Sequence, residues 1–363
     1  MSLRILLVVG LLSLISQPSP AMERGAVSAA YAGLVPQTLL SLAHTPEVWQ
    51  ELQLTPRQTA SLEQLFAQID GPWFRSRLLP PDKQRPIIEA AEQQLHDWLQ
   101  QNATEPQRRR LAQLELRAQN LRCLLRDDVA RQLKLQPAGQ EQLAELARTT
   151  DAAQQKHHAA KMRGEAVEDL EAAAQKAVKE EQASLAQITT PAQRQQLGQL
   201  LGESFNTTQL ARIYPMAPEF VPVDQWINSE PLILEQLRGK VVLVHFYAFQ
   251  CHNCHANFEI YKRWHQELKN KGVVVVGIQT PETARERDPA AVRAAASERE
   301  LLFPILHDQK SENWQAWGNT MWPTVYVVDK RGYIRQWWQG ELNWKGATGD
   351  KTIETVVDRL LQE

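Results

Sequence analysis

Two different patterns of apolar and polar residues divide the chain near residue 210. In residues 22–210, apolar residues recur every three or four positions, as in Leu62, Phe66 and Ile69. Because an α-helix completes a turn every 3.6 residues, this spacing places the apolar side chains on one face. The region is also rich in Gln, Ala, Leu, Arg and Glu and has few β-branched residues. It therefore predicts an all-α domain.

The helical region contains two related copies of a unit of roughly 80 residues. Leu54-Thr55-Pro56 in the first copy corresponds to Leu135-Gln136-Pro137 in the second, and apolar residues follow both at the same spacing. A second correspondence relates the segment that begins at Thr104 to the one that begins at Thr190. We expect two tandem helical repeats.

Three predicted helix starts carry the Thr-x-x-Gln pattern of a capping box. They are Thr55 to Gln58, Thr104 to Gln107 and Thr190 to Gln193. In a capping box the two side chains satisfy free backbone N–H groups at the helix start. The fourth start, at Gln136, has neither capping residue. The pattern resembles the short Leu-Thr-x-x-Gln motif of Spy/CpxP-like periplasmic helical proteins.

Beyond residue 210 the pattern changes to alternating strands and helices. Residues 211–235 contain four prolines and predict a linker with an N-terminal extension of the next domain. The predicted strands are Val241–Phe249, Val273–Ile278, Phe303–Leu306, Thr324–Val328 and Tyr333–Trp337, and the predicted helices are His252–Lys269, Ala290–Glu300 and Lys351–Leu361. This order is typical of a thioredoxin fold. We expect residues 236–363 to form a thioredoxin-like α/β domain, so that the whole chain is α + α/β.

Residues 1–21 have the features of a secretory signal peptide. Arg4 precedes the apolar run Ile5–Ile15, and Ser19-Pro20-Ala21 provides small residues for cleavage. The apolar run is short for a membrane span, which makes a retained anchor the less favoured alternative. We expect a mature chain that begins near Met22 and lies in the periplasm or is secreted.

Net charge and cysteine content limit the partners and the chemistry expected of this protein. A net charge of −2 argues against nucleic acid as the main partner. Three cysteines, Cys123, Cys251 and Cys254, are too few for a disulfide-stabilised scaffold. Cys123 lies in an apolar helical run and is expected to be a buried small hydrophobe. The other two have the C-x-x-C spacing of a redox pair.

Cys251-His252-Asn253-Cys254 lies where a predicted strand ends and a predicted helix begins. Only a thiolate attacks a disulfide, and the N–H groups and partial positive charge of a helix N-terminus stabilise a thiolate. We therefore expect Cys251 to be the exposed nucleophile and Cys254 the buried resolving thiol. His252 and Asn253 are expected to modulate the pair, and no metal or cofactor is expected besides the redox-active Cys251–Cys254 disulfide.

Two other interpretations of this segment remain open. Cys251 to His255 also matches the attachment signature of c-type haem. A structural zinc site would combine the two cysteines with His252 and His255. Dithiol chemistry is favoured over haem because the motif follows a predicted buried strand and a β-hairpin lies downstream. It is favoured over zinc because the further candidate ligands are packed into one short segment.

Trp322-Pro323-Thr324 directly precedes a predicted strand. In a thioredoxin fold, a proline at this place forms a cis peptide beside the dithiol and turns the preceding backbone toward a substrate peptide. We therefore expect Pro323 to belong to the catalytic site, and Trp322 and Thr324 to bind the substrate.

Residues from about 217 to 361 resemble the TlpA-like thiol–disulfide oxidoreductases, and in particular the thioredoxin-like domains of DipZ-type and NHL-repeat proteins. The matching segments are Gly239–Val244, Cys251–Cys254, Val275–Glu282, Trp317–Asn319, Trp322–Thr324 and Asp329–Arg335. The resemblance implies an exported disulfide reductase, or an oxidase in some branches, with Cys251, Cys254 and Pro323 in the site. It also implies disulfide-containing client proteins as partners and a membrane electron donor as a candidate partner.

The chain departs from this resemblance at several positions. Gln250 replaces the usual aromatic residue before the first cysteine, and His245 replaces a buried acid that helps to deprotonate the resolving thiol. His245 is either a substitute base or a core histidine. A peroxidatic cysteine would follow a threonine and a proline at the positions of Ala248 and Val244, so peroxide reduction is not expected as the main activity.

The alternative function is a non-enzymatic helical scaffold or stress-binding protein with an accessory thioredoxin fold. The sequence leaves the direction of electron flow, the client, the electron donor and the oligomeric state open.

Overall fold

The computed structural model describes residues 27–163, 165–205 and 213–363. The predicted signal peptide, residues 1–21, lies outside these residues. Within them, no helix has the length and apolar character needed to cross a membrane.

Among the described residues, helices and strands alternate only in the C-terminal half of the chain. The described α-helices are α1 (Leu39–Ala43), α2 (Pro46–Glu51), α3 (Pro56–Ser76), α4 (Pro81–Asn102), α5 (Glu105–Ala118), α6 (Asp127–Leu133), α7 (Pro137–Met162), α8 (Glu168–Ala183), α9 (Leu185–Ile188), α10 (Pro191–Leu201), α11 (His252–Leu268), α12 (Pro289–Glu298), α13 (Glu312–Ala316) and α14 (Gly349–Gln362). The described strands are β1 (Trp226–Ile227), β2 (Val241–Tyr247), β3 (Val273–Gln279), β4 (Ile305–His307), β5 (Thr324–Val328) and β6 (Ile334–Gln339). The predicted α + α/β class is therefore observed, and β1 and α13 were not predicted.

The chain forms two compact units. Among the described residues, the helical unit comprises 27–36 together with those of Glu105–Phe205, and the α/β unit comprises Gln37–Thr104 together with 213–363. The all-α domain predicted at 22–210 is thus divided, because α1 to α4 belong to the α/β unit. The two tandem repeats stay a prediction.

The helical unit has its own apolar core, to which α5, α6, α7 and α10 contribute. Cys123 lies in this core within a 3₁₀ turn, Asn120–Leu125, and is buried as expected. Burial raises the pKa of the Cys123 thiol to about 12, which makes it a poor nucleophile at neutral pH. At the start of α10, the Thr190 hydroxyl accepts from the Gln193 N–H, and the Gln193 side chain accepts from the Thr190 N–H. This predicted capping box is confirmed, as is the one at Thr55 in the α/β unit.

A six-stranded sheet forms the centre of the α/β unit, in the order β1-β4-β3-β2-β5-β6. β2 pairs in parallel with β3 and antiparallel with β5. All seven residues of β2 are buried, as a continuous apolar run in a central strand predicts. The segment that precedes β1 is hydrogen-bonded to the turn between β5 and β6, where the Ala217 N–H donates to the Gly332 carbonyl at 2.9 Å.

Helices cover one face of the sheet. Phe258 and Trp264 of α11, Val292 of α12, and Ile353 and Val357 of α14 are buried there in one apolar cluster with the inward side chains of β2 and β3. The dithiol helix, α11, is therefore held along its length by the core.

The opposite face of the sheet is partly covered by α3. Phe74 of α3 lies edge-on to Trp337 of β6 and Tyr326 of β5, at ring-centroid distances of 5.5 and 6.2 Å. The buried carboxylate of Asp70, also on α3, accepts from the Met216 N–H at 2.7 Å. These contacts explain why α3 belongs to the α/β unit and not to the helical unit.

Candidate active site

The two cysteines of the predicted redox pair lie at the N-terminus of α11. Cys251 is the N-cap residue, in an extended conformation, and Cys254 follows in the first turn. Cys251 is half-buried, whereas Cys254 is 0% exposed. Both are free thiols. One accessible and one inaccessible sulfur thus lie at the same helix N-terminus, shortly after the end of β2.

The environment makes the two thiols differ in acidity. A hydrogen bond from the Cys254 thiol, supported by the backbone N–H groups of Cys254 and Asn253, lowers the pKa of Cys251 to about 7, against the opposing effects of burial and Glu282. Burial raises the pKa of Cys254 above its usual value. Near neutral pH, Cys251 is therefore about half thiolate while Cys254 keeps its proton. This is the division expected of a nucleophile and a resolving thiol.

Pro323 lies at the same edge of the sheet as the dithiol. Phe246 near the end of β2 pairs with Thr324 at the start of β5, so the residues that follow β2 and those that precede β5 are neighbours. Pro323 is buried, and the Trp322–Pro323 peptide bond is cis. The structure thus brings together the two sequence motifs that the prediction placed in one site.

Trp322 and Thr324 lie differently with respect to solvent. Trp322 is partly exposed and stacks on Trp314 with ring centroids 4.1 Å apart. Met321 beside it is exposed, so the two residues offer an apolar surface. The Thr324 side chain is fully buried, and its hydroxyl donates to the Met321 carbonyl at 2.9 Å. The Thr324 side chain thus faces the core, and the predicted role of Thr324 in substrate binding stays a prediction.

The two histidines in the motif have separate environments. His252 is exposed in the first turn of α11, where it lies beside the dithiol as predicted. His255 donates from Nε2 to the Phe249 carbonyl at 2.7 Å and so secures the loop that leads into the helix. The nitrogen that would coordinate a haem iron is thus engaged within the chain. In the part of the chain that the structure describes, no cluster of three or more metal-ligating side chains occurs.

His245 is fully buried in the core. Its ring stacks on Tyr261 at a centroid distance of 3.9 Å, and neither ring nitrogen has a hydrogen-bond partner among the described residues. Burial lowers the pKa of His245 to about 3. At neutral pH the ring is therefore uncharged and binds a proton only weakly, which favours the core interpretation over a role as base.

Two residues near the site were missed by sequence reasoning. Asn257, one turn after Cys254, is buried and hydrogen-bonds to the loop after β6. Glu286 is buried and accepts from the N–H of Gln250, the residue before Cys251. Neither position has a signal in a single sequence, because Asn257 is one polar residue on a helix and Glu286 lies between two arginines.

The C-terminal part of the chain is similar in sequence to known proteins. Residues 215–337 match the model of the AhpC/TSA family. DipZ of Mycobacterium tuberculosis is 34% identical over 211 residues, which cover 54% of this chain and 29% of DipZ. The thiol–disulfide oxidoreductase YkuV of Bacillus subtilis is 29% identical over 147 residues, which cover 40% of this chain and 94% of YkuV. ResA of Bacillus cereus, also named a thiol–disulfide oxidoreductase, is 26% identical over 137 residues, which cover 38% of this chain and 75% of ResA.

The chain therefore spans less than a third of DipZ but nearly all of YkuV. The matched family region contains β1 to β5, most of β6, α11 and both motifs of the site. Residues 215–337 of this chain are therefore similar to the AhpC/TSA family, and the C-terminal region has a thioredoxin-like fold.

Proposed function

We propose that this chain is a thiol–disulfide oxidoreductase that exchanges disulfides with client proteins through Cys251 and Cys254. The observation that carries the proposal is the placement of the half-buried Cys251 and the buried Cys254 at the start of α11, at the same edge of the sheet as the cis Pro323. The lowering of the Cys251 pKa to about 7 agrees with it. The relatives named thiol–disulfide oxidoreductases support it.

In the reducing direction, the Cys251 thiolate attacks one sulfur of a client disulfide. The client S–S bond breaks, one client sulfur leaves as a thiolate, and Cys251 forms a mixed disulfide with the other. Cys254 then gives its proton to the released thiolate or to solvent and attacks Cys251. The second client thiolate leaves, so the client gains two electrons and the Cys251–Cys254 pair becomes a disulfide.

The same groups serve the reverse reaction, because thiol–disulfide exchange is reversible and reduction potentials set its direction. The TlpA-like resemblance supports client reduction, with a membrane electron donor restoring the dithiol. Residues 1–21 support a periplasmic or secreted location. Trp322 and Met321 provide an apolar surface for the client chain beside the dithiol.

The proposal is tested by disulfide exchange with insulin or a model peptide. We expect Cys251→Ser to abolish turnover and Cys254→Ser to accumulate the mixed disulfide, while Cys123→Ser, whose thiol is buried in the helical unit, keeps the wild-type rate. Equal rates for the wild type and Cys251→Ser would refute the proposal and favour the scaffold function.

A further inference from the structure

Glu286 is a buried carboxylate that connects two loops at the redox site. Its side chain is 0% exposed. Oε1 accepts from the Gln250 N–H at 2.7 Å, and Oε2 accepts from the N–H groups of Glu282 and Thr283 at 2.8 and 2.9 Å. Gln250 directly precedes Cys251, so one end of this connection is the dithiol loop itself.

Burying a carboxylate is costly unless hydrogen bonds compensate for the lost water. The three N–H donors provide that compensation, and they come from two separate loops. A carboxylate accepts on both oxygens, whereas a glutamine amide would turn its NH₂ group toward one set of N–H donors. The geometry therefore requires an acid at this position if both loops are to be held.

Two other contacts reinforce the connection. The Thr283 hydroxyl lies 2.5 Å from the Gln250 side-chain oxygen, which links the same two loops a second time. The Glu286 carbonyl accepts from the buried His307 ring at 2.9 Å and so anchors the residue to β4. The turn at residues 282–283 is thereby fixed with respect to both the sheet and the dithiol.

The fixed turn carries a charge that acts on the redox pair. The Glu282 side chain is exposed, and its negative charge raises the pKa of Cys251 against the stronger, opposing effect of the Cys254 hydrogen bond. The pKa of Cys251 therefore depends on the position of this turn relative to the Cys251 sulfur.

We propose that Glu286 is a positioning residue for the redox site. It holds the loop that ends at Cys251 against the turn at 282–283 and so determines the position of the Glu282 carboxylate relative to the Cys251 sulfur. The inference rests on the proposed dithiol function. It is tested on the reduced protein without any client, so that its failure can be told apart from a failure of turnover.

The experiment measures the pH dependence of Cys251 alkylation by iodoacetamide. Glu282→Gln is expected to lower the pKa of Cys251 by about half a unit in the wild-type background. In the Glu286→Gln background, the same Glu282→Gln substitution is expected to shift the pKa by less than half as much, since the turn no longer has a fixed position.

Asp329→Asn provides the matched control background. Asp329 is another buried carboxylate of the α/β unit and accepts from the N–H groups of Arg331 and Tyr333 at 2.9 Å each, but it follows β5 at the end opposite Pro323. Asp329→Asn should lower thermal stability as Glu286→Gln does. In this background, however, Glu282→Gln should still shift the pKa of Cys251 by its full amount.

An equal Glu282→Gln shift in the wild-type and Glu286→Gln backgrounds would overturn the inference, as would the lack of any shift in the wild type. If Glu286→Gln does not fold, Glu286→Asp takes its place, because it keeps the charge but is too short to reach both loops. Thr283 is exposed, and Thr283→Val removes only the contact of its hydroxyl with the Gln250 side chain. In that background, the effect of Glu282→Gln on the pKa of Cys251 should be reduced less than in the Glu286→Gln background.

Discussion

The side-chain amide of Asn257 donates to the carbonyl oxygen of Gly340 at 3.3 Å. The Gly340 N–H in turn donates to the Pro323 carbonyl at 2.7 Å. The other end of the Asn257 amide accepts from the Leu342 N–H at 2.9 Å. Since Asn257 lies one turn after Cys254, a single buried side chain connects the dithiol helix with the segment that holds Pro323.

We expect Asn257→Ala to reduce client turnover by loosening Pro323 relative to the dithiol. It should also lower the free energy of unfolding by about 1–3 kcal/mol, because the Leu342 N–H loses its acceptor. Insulin reduction and urea unfolding check both effects. Asn313→Ala is the matched control, since Asn313 is an equally buried asparagine that accepts from the Val221 N–H. If the control lowered turnover as much as Asn257→Ala, the effect would reflect stability alone.

Cys254→Ala should raise the pKa of Cys251. The thiol of Cys254 provides the hydrogen bond that contributes most to the lowered pKa of about 7, and alanine removes it. At pH 7, less of Cys251 would then be thiolate, and its alkylation by iodoacetamide would slow. The midpoint of the pH–rate profile measures the change, with Cys123→Ala as the control that leaves it in place. An unchanged midpoint in Cys254→Ala would contradict the assigned hydrogen bond.

The initial attack on a client disulfide should depend on pH through Cys251. With a pKa of about 7, the thiolate is the minor form below neutral pH, and its fraction falls about 50-fold between pH 7 and pH 5. The rate should therefore rise with pH and level off above about pH 8. Stopped-flow measurement of the single-turnover reaction from pH 5 to 9 tests this. A flat profile would mean that another step, or another group, controls the rate.

Strands β2 to β6 and the dithiol could be predicted from the sequence because their signals are local. The apolar run of β2 and the C-x-x-C spacing at its end need no knowledge of distant residues. The unit to which α3 belongs could not be predicted, since its apolar face looks the same whether it packs on helices or on a sheet. Glu286 was missed for a related reason: Arg285-Glu286-Arg287 is typical of a solvated turn, and only the fold supplies the N–H donors that bury the acid.

The packing of Phe74 predicts that the α/β domain depends on α3 for stability. Phe74 is buried against Tyr326 and Trp337, so Phe74→Ala would leave a cavity on that face of the sheet. We expect a loss of about 3–5 kcal/mol in the free energy of unfolding. Leu79→Ala, an exposed position just beyond the end of the same helix, should change it by less than about 0.5 kcal/mol. Urea unfolding followed by circular dichroism measures both changes in the free energy of unfolding. Equal stability of both variants would show that the packing of Phe74 does not stabilise the sheet.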